Sequence, residues 1–380
     1  MGDERKQPFA GLPPALVGDL VEKSGRLTGE IHEYVRNIRS NLDTYRSRLL
    51  DNGLIKTVRD MPDSQTPTAC GIDGVFGSAP ALQADLAFAA AFAVEGIPPR
   101  AGEKHWDTPV YKTAFYAERN RFGSNGLLRA IAYQMQAVIA AEAPHGVVIL
   151  NGSFITALTV MMESLPAALR SKEMETGREF ISRIKPAVRA FESIVNPDDR
   201  IRVGMPPDDR HRELLDAIQV SEKYDQSLFT ALLLSPGEYA GPVPVAQGEL
   251  SGVKALSIRD ETFAAVRDGL VASLSGSRVL FYKPHEWTPV LRLEVPESVA
   301  GDNTRLAALF SCLNHQCATP GIPKPYPVYC AEKTARILKR AFPTIRRSVT
   351  GRLAGLLNDT IGDILSLLID NDQNMGDYDE

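Results

Sequence analysis

The stretch from Gly146 to Ile155, GVVILNGSFI, limits the fold more than any other segment. Its apolar run, Val147 to Leu150, is β-branched-rich, short, and bounded by Gly146 and the polar turn Asn151-Gly152-Ser153, so it reads as a buried strand. The preceding NGLLRAIAYQMQAVIAAEAP puts Leu128, Ile131, Met135 and Ile139 on one helical stripe, with Asn125 able to cap its start and Pro144 to stop it. A helix feeding directly into a buried strand predicts an α/β domain. The strand ends on one polar side chain, Asn151, at a place where many metal-dependent enzymes present a carboxylate.

Flanking segments extend this pattern. ACGIDGVFGS reads as a short strand ending at Asp73 and turning on Gly74. In ALQADLAFAAAFAVEG, Leu82, Leu86, Phe88, Phe92 and Val94 fall on even positions, which predicts a second strand paired to the first as a hairpin, although the alanines also suit a helix. Beyond Asn151 the chain reads as mostly helical through residue 195, and LLDAIQVSEKYD as a strand-like run into a polar turn. SRVLFYKPHEWTPVLRLEVPES gives two strands around a turn at KPHEW, and the last helix is expected over residues 329–342, after TPGIPKPYP. Before all of these, residues 15–50 read as one long helix whose Ile31, Val35, Ile38, Leu42, Tyr45 and Leu49 step by four and three, a seam that can pack on its own body or on another subunit.

Composition sets the class. With 380 residues, 44% of them hydrophobic, and a net charge of −5, the chain can bury a substantial core and carries no uniform basic coat. No apolar run is long enough to span a membrane, the first residues lack the core of a secretory signal, and MGDERK fails as a myristoylation signal, so a cytoplasmic protein is expected. Four cysteines are too few and too scattered for a disulfide scaffold. Residues 339–352, KRAFPTIRRSVTGR, carry five cations and no acid, which suits either a solvated helix face or a nucleic-acid groove.

Two strands that end in polar residues beside glycine, GIDG and LNGS, with a helix between them, are one way to assemble an acidic two-metal nuclease site. Hard dications take oxygen ligands, and two of them can clamp the attacking and leaving oxygens of a phosphodiester. The same fragments are also ordinary turn sequences. CLNHQC lacks a second Cys/His pair for zinc, GVFGS lacks the Lys and Ser/Thr of a phosphate loop, and Ser153 has no His/Asp partner in sequence.

The ordered set GIDG, helix, VVILNGSF, IQVSEKYDQSLFTALLL, SRVLFYKPHEWTPVLRLEVP and GIPKPYPVYCAEKTARI resembles the NurA nuclease family over roughly residues 68 to 340. The FYKP and LRLEVP pair followed by GIPKPYP and AEKTA is its most specific part. The resemblance implies a ribonuclease H-like mixed sheet flanked by helices, here with a long N-terminal helix. It also implies Mn²⁺- or Mg²⁺-dependent endo- and exonuclease action on DNA, a homodimer, and a HerA-type hexameric ATPase as partner, in DNA repair or anti-phage defence. Three regions follow: a helical extension over 1–60 for dimer or ATPase docking, a NurA-like nuclease domain over 61–345, and a C-terminal helix with an acidic tail over 346–380.

Carried over residue by residue, the resemblance makes Asp73 the first metal-binding aspartate and puts Asn151 where a second aspartate is expected. Gln136 takes the place of a helical glutamate, Lys223 that of a basic residue near the scissile phosphate, and Glu332 that of the group closing the metal site. Arg292 and Glu294 match a family pair of structural character. The two amides remove two of about four negative charges that would balance a pair of dications. The expectation is therefore a nuclease that cuts DNA poorly or not at all, or else a silent DNA-binding or regulatory subunit. Glu95 and Glu142 are the acids that would substitute if the helix alignment shifted by a few residues.

Overall fold

A computed structural model describes residues 11–81, 84–118, 125–195, 199–206, 212–245, 250–251, 253–254 and 261–356. The acidic tail, expected to be disordered, lies outside these residues. Helices α1 (Pro14–Ser40) and α2 (Leu42–Asp51) lead to strand β1 (Ile55–Thr57), and then come β2 (Ala69–Ala81), β3 (Ala84–Glu95) and β4 (Val110–Glu118). Next are α3 (Asn125–Glu142), β5 (Val147–Leu150), α4 (Phe154–Arg170), α5 (Glu175–Val195), β6 (Ile201–Gly204), α6 (Glu213–Ala217), α7 (Gln226–Leu233) and β7 (Glu238–Pro244). The chain continues through α8 (Glu261–Ser275), β8 (Arg278–Tyr282), β9 (Leu291–Val295), α9 (Glu297–Ala300), α10 (Asn303–Gln316) and α11 (Tyr326–Leu356).

The described strands form one mixed sheet in the order β1-β7-β8-β9-β6-β5-β2-β3-β4. Its centre, β2, β5 and β6, is parallel, and β3 and β4 extend it antiparallel. Residue alternation divides the two faces. Cys70, Ile72, Val148 and Leu150 point into a core with α3, α4 and α5, including all four stripe residues except Leu128, which packs on Ala87 and Tyr116. Ala69, Val147, Ile149 and Val203 point the other way, against α10 and Val328 of α11, while Val75 meets Ala335 and Phe342 of α11. This is the expected mixed sheet flanked by helices.

Four details depart from the sequence expectation. Strand β2 does not end at Asp73 but runs on through Gly74 to Ala81, because β3 pairs with it along its whole length. The N-terminal helix is two helices broken at Asn41. Residues 213–217 are helical where a strand was read, since a short apolar run does not distinguish the two. The last helix spans Tyr326–Leu356 and contains Pro343, which was expected to lie beyond its end.

The helical seam has two fates. Ile38, Tyr45 and Leu49 are buried in the main core, and Tyr34 and Tyr45 pack edge-on against Tyr224. Burial of this kind stabilises by roughly 1.5–3 kcal/mol per large apolar side chain. Toward the N-terminus the same stripe is exposed at Leu16, Leu20, Leu27 and Ile31. Among the described residues no helix is long and apolar enough to cross a membrane.

Candidate functional site

The parallel register of β2 and β5 runs from Ala69 opposite Val147 to Ile72 opposite Leu150. The Asn151 N–H then donates to Ile72 O at 2.8 Å, which carries the ladder one step further and sets Asn151 level with Asp73. Both residues continue the odd-numbered, α11-facing rows of their strands. Immediately after, Ser153 caps α4 by accepting from the Ile155 and Thr156 N–H groups at 3.1 and 3.2 Å, which accounts for this serine without nucleophilic chemistry.

Helix α11 brings a third group. Gly71 allows its first turn to lie directly on β2: a Cβ there would overlap the backbone of Pro327 and Val328, reaching 2.6 Å from Pro327 O. Glu332, one turn further on, then overlooks Asp73. The loop before α11 adds Lys324, whose ammonium donates to Glu332 Oε2 at 2.8 Å and to Asn151 Oδ1 at 3.3 Å. Arg336, one turn along α11, donates to Glu332 Oε1 at 3.0 Å.

Asp73 is the electrostatic focus. Burial raises its pKa to about 6, opposed by hydrogen bonds from the Gly74 N–H, at 2.8 Å, and the Asn151 amide; Glu332 repels its charge and Lys324 attracts it. An aspartate at position 151 would repel Asp73. The uncharged amide instead favours the Asp73 charge while accepting from Lys324.

The other sequence candidates lie elsewhere. Gln136 is buried on α3 beneath Gly74, so close that a Gly74 Cβ would overlap its amide, 2.8 Å from Cδ. Because Gly74 and Asp73 alternate, Gln136 and the Asp73 carboxylate occupy opposite faces of β2. Lys223 sits on the exposed loop between α6 and α7, where its carbonyl accepts from the Tyr34 hydroxyl at 3.2 Å. Among the described residues its ammonium makes no hydrogen bond to Asp73, Asn151 or Glu332. Glu95 holds the His105 and Trp106 N–H groups at 2.8 and 2.7 Å, and Glu142 pairs with Lys112 at 3.2 Å, so neither reaches the Asp73 group.

Arg292 and Glu294 support the site from below. The Arg292 guanidinium donates to Glu213 Oε1 at 2.5 Å and Glu294 Oε1 at 2.8 Å, all three side chains being 5% exposed or less. Glu294 Oε2 accepts from the Phe154 N–H at 3.1 Å, which fixes the turn after Asn151. The four cysteines form no disulfide; Cys312, within α10, and Cys317, at its end, are buried thiols.

No family model matches the chain, and no curated protein matches it in sequence. Solved structures do match. The NurA nuclease from Sulfolobus solfataricus aligns with a TM-score of 0.55 at 10% identity, covering 89% of this chain and 98% of its own. A second NurA crystal structure gives 0.55 at 9% identity, over 90% of this chain and 99% of its own. The chain has a NurA-like fold. A NurA structure with manganese also aligns, at a TM-score of 0.52 and 9% identity over 86% of this chain and 98% of its own.

Within this NurA-like frame the donor set can be tested against a divalent ion. Among the described residues, no three His, Cys, Asp or Glu side chains come together as ion ligands. The cluster offers two carboxylates, Asp73 and Glu332, and their charge is already faced by the cations of Lys324 and Arg336. A pair of dications needs several uncompensated oxygen ligands, so the residues present do not fit one. Lys324 was missed in the sequence because a lysine in a proline-flanked loop looks like any solvated lysine; the only local signal is its rigid setting, Pro323-Lys324-Pro325.

Proposed function

We propose that this chain is a NurA-like DNA-binding subunit whose own phosphodiester hydrolysis is silent. It acts beside a HerA-type hexameric ATPase in DNA end processing, in repair or anti-phage defence. The observation that carries the silence is the amide of Asn151 between Asp73 and Lys324, at the strand end where a ligating carboxylate was expected. The NurA-like fold supports the DNA reading, and one NurA structure in this group is described as bound to dAMP and manganese. When bound, a divalent ion would supply water activation and charge neutralisation in such a fold. Here the residues act differently: Asn151 orients the Asp73 carboxylate, and Lys324 and Arg336 hold Glu332.

Contact with the nucleic acid backbone falls to α11. Lys333, Arg336, Lys339, Arg340 and Arg347 are exposed along this helix, which starts at the Asp73 cluster and runs beside β2. Phosphate contacts of this kind release counterions, so binding should weaken steeply with salt. The exposed stretch of α1 with Leu16, Leu20, Leu27 and Ile31 offers a surface for a second copy or for the ATPase.

The test uses fluorescence anisotropy on labelled linear DNA across a salt series, together with a Mn²⁺ cleavage assay. Salt-dependent binding without cleavage is expected, and Lys333→Ala with Arg340→Ala should weaken binding and flatten the salt slope. Absence of DNA binding at low salt would refute the DNA-binding role. Metal-dependent cutting by the unaltered chain would refute the silence.

A further inference from the structure

The Asp73, Asn151 and Glu332 cluster is closed in a specific way. Asp73 Oδ1 accepts from the Gly74 N–H at 2.8 Å, and the Asn151 amide lies beside the same carboxylate and favours its charge. Asn151 Oδ1 accepts from Lys324 at 3.3 Å. Glu332 Oε2 accepts from Lys324 at 2.8 Å and Glu332 Oε1 from Arg336 at 3.0 Å. Four of the oxygens a hard cation would need, Asp73 Oδ1, Asn151 Oδ1 and both of Glu332, already have an N–H partner from the protein. Lys324 is central because it spans Asn151 and Glu332 at once.

We infer that Lys324 is the resident cation of this site, its ammonium filling the place of a divalent ion and keeping the cluster closed to Mn²⁺ and Mg²⁺. The setting of Lys324 favours this role. Pro323 and Pro325 restrict the backbone on either side of it, and Pro325 O accepts from the Val328 and Tyr329 N–H groups at 3.0 and 3.1 Å, so the loop is tied to the start of α11. The first turn of α11, to which the loop is tied, lies directly on β2 at Gly71, which fixes the backbone next to the lysine. The lysine side chain is 23% exposed, and Glu332 24%, so the pair is shielded but not sealed. A dication binding to the same oxygens would sit at about 2.0–2.6 Å from them. An ammonium at hydrogen-bond distance and such an ion exclude each other by size and by charge. To admit the ion, Lys324 would have to give up both contacts and remain beside a like charge.

The inference rests on the NurA-like reading only for the expectation that a divalent ion belongs here. The contacts of Lys324 stand without it.

The experiment needs no DNA. Full-length protein stripped with EDTA is titrated with Mn²⁺ alone, and the free ion is followed by its room-temperature electron paramagnetic resonance signal. Melting temperature is recorded in parallel. The unaltered chain is expected to show no saturable uptake at ~1 mM Mn²⁺ and no melting shift, in keeping with oxygen ligands that are already occupied. Asn151→Asp together with Lys324→Met frees Glu332 Oε2 and adds a carboxylate, and should take up one ion at least about tenfold more tightly. Adding Asp73→Asn to that variant should abolish the uptake. Lys324→Gln serves as the second variant if Lys324→Met fails to fold by circular dichroism. Stoichiometric Mn²⁺ uptake by the unaltered chain, lost on Asp73→Asn, would overturn the proposal. So would failure of the folded lysine variant, paired with Asn151→Asp, to bind better than the unaltered chain. Absence of DNA binding in the separate anisotropy assay, with these ion results intact, would count against the proposed DNA-binding role instead.

Discussion

Replacing Arg292 by methionine is the most informative single perturbation of the scaffold. The side chain lies between Glu213 and Glu294, at 2.5 and 2.8 Å, and both carboxylates are 3% exposed or less. Its removal leaves two dehydrated negative charges close together. Breaking a buried pair from one side typically costs about 3–5 kcal/mol, because the remaining charge cannot be rehydrated. Two carboxylates left without a counter-charge place this case near the top of that range. Glu294 has a second task, since its Oε2 accepts from the Phe154 N–H, so a displaced Glu294 would also loosen the turn after Asn151. The assay is urea unfolding at fixed pH, with the midpoint and slope fitted separately. The variant Arg292→Met with Glu213→Gln and Glu294→Gln keeps hydrogen-bonding shapes and removes the net charge, and should recover at least half of the loss. The pH direction is a further check. Burial of unpaired carboxylates raises their folded pKa above the unfolded value, so the single variant should gain stability relative to the parent as the pH falls toward 5. A cost below about 1 kcal/mol, or a triple variant no better than the single one, would refute the view that charge burial decides this site.

Other expectations follow from separate places in the fold. Gly71→Ala forces a Cβ against the Pro327 and Val328 backbone, so it should cost about 1–3 kcal/mol by urea unfolding, and a loss under 0.5 kcal/mol would contradict the close packing of α11 on β2. Ser153→Ala removes the cap of α4 and should cost about 1 kcal/mol, with Ser153→Asp largely neutral in the same measurement. His145 is fully buried, with Nε2 3.2 Å from Glu95 Oε1, and burial lowers its pKa to about 4 despite that carboxylate. Above pH 6.5 both the folded and unfolded forms are neutral; below it the unfolded chain takes up a proton that the folded one refuses until about pH 4. Stability should therefore fall by about 2 kcal/mol between pH 7.5 and 5, at ~1.4 kcal/mol per unit below 6.5, and His145→Leu should lack that loss.

Much of the architecture was legible in residue patterns. The apolar run from Val147 to Leu150, the even-numbered apolar positions of β3 and the α3 stripe each announced an element, because one-sided or two-sided burial imposes a period. Gly74 misled because glycine beside aspartate is turn chemistry; here it sits within a strand, and its missing Cβ makes room for Gln136. Gln136 was placed on the right helix, but the face of β2 that it approaches depends on a parity visible only once β2 is known to continue. The last helix was read to residue 342, yet α11 runs on through Pro343, carried on an exposed turn. Lys324 carried no periodic or motif signal at all, since its role depends on two residues distant in sequence, Asn151 and Glu332, meeting around it.

The sheet order sets a timetable for the newborn chain. Among the described residues, strand β1 near residue 55 pairs with β7 near residue 240, and the Gly71, Asp73 and Val75 side of β2 is covered by α11. At a synthesis rate of about 5–20 residues per second, β1 waits roughly 10–40 s for its partner, and the uncovered side of β2 waits longer still. During that interval the β2-β3 hairpin shows apolar surface to the cell. The late closure of β1 on β7 and of α11 on β2 predicts slow folding, with apolar surface open until these partners have emerged.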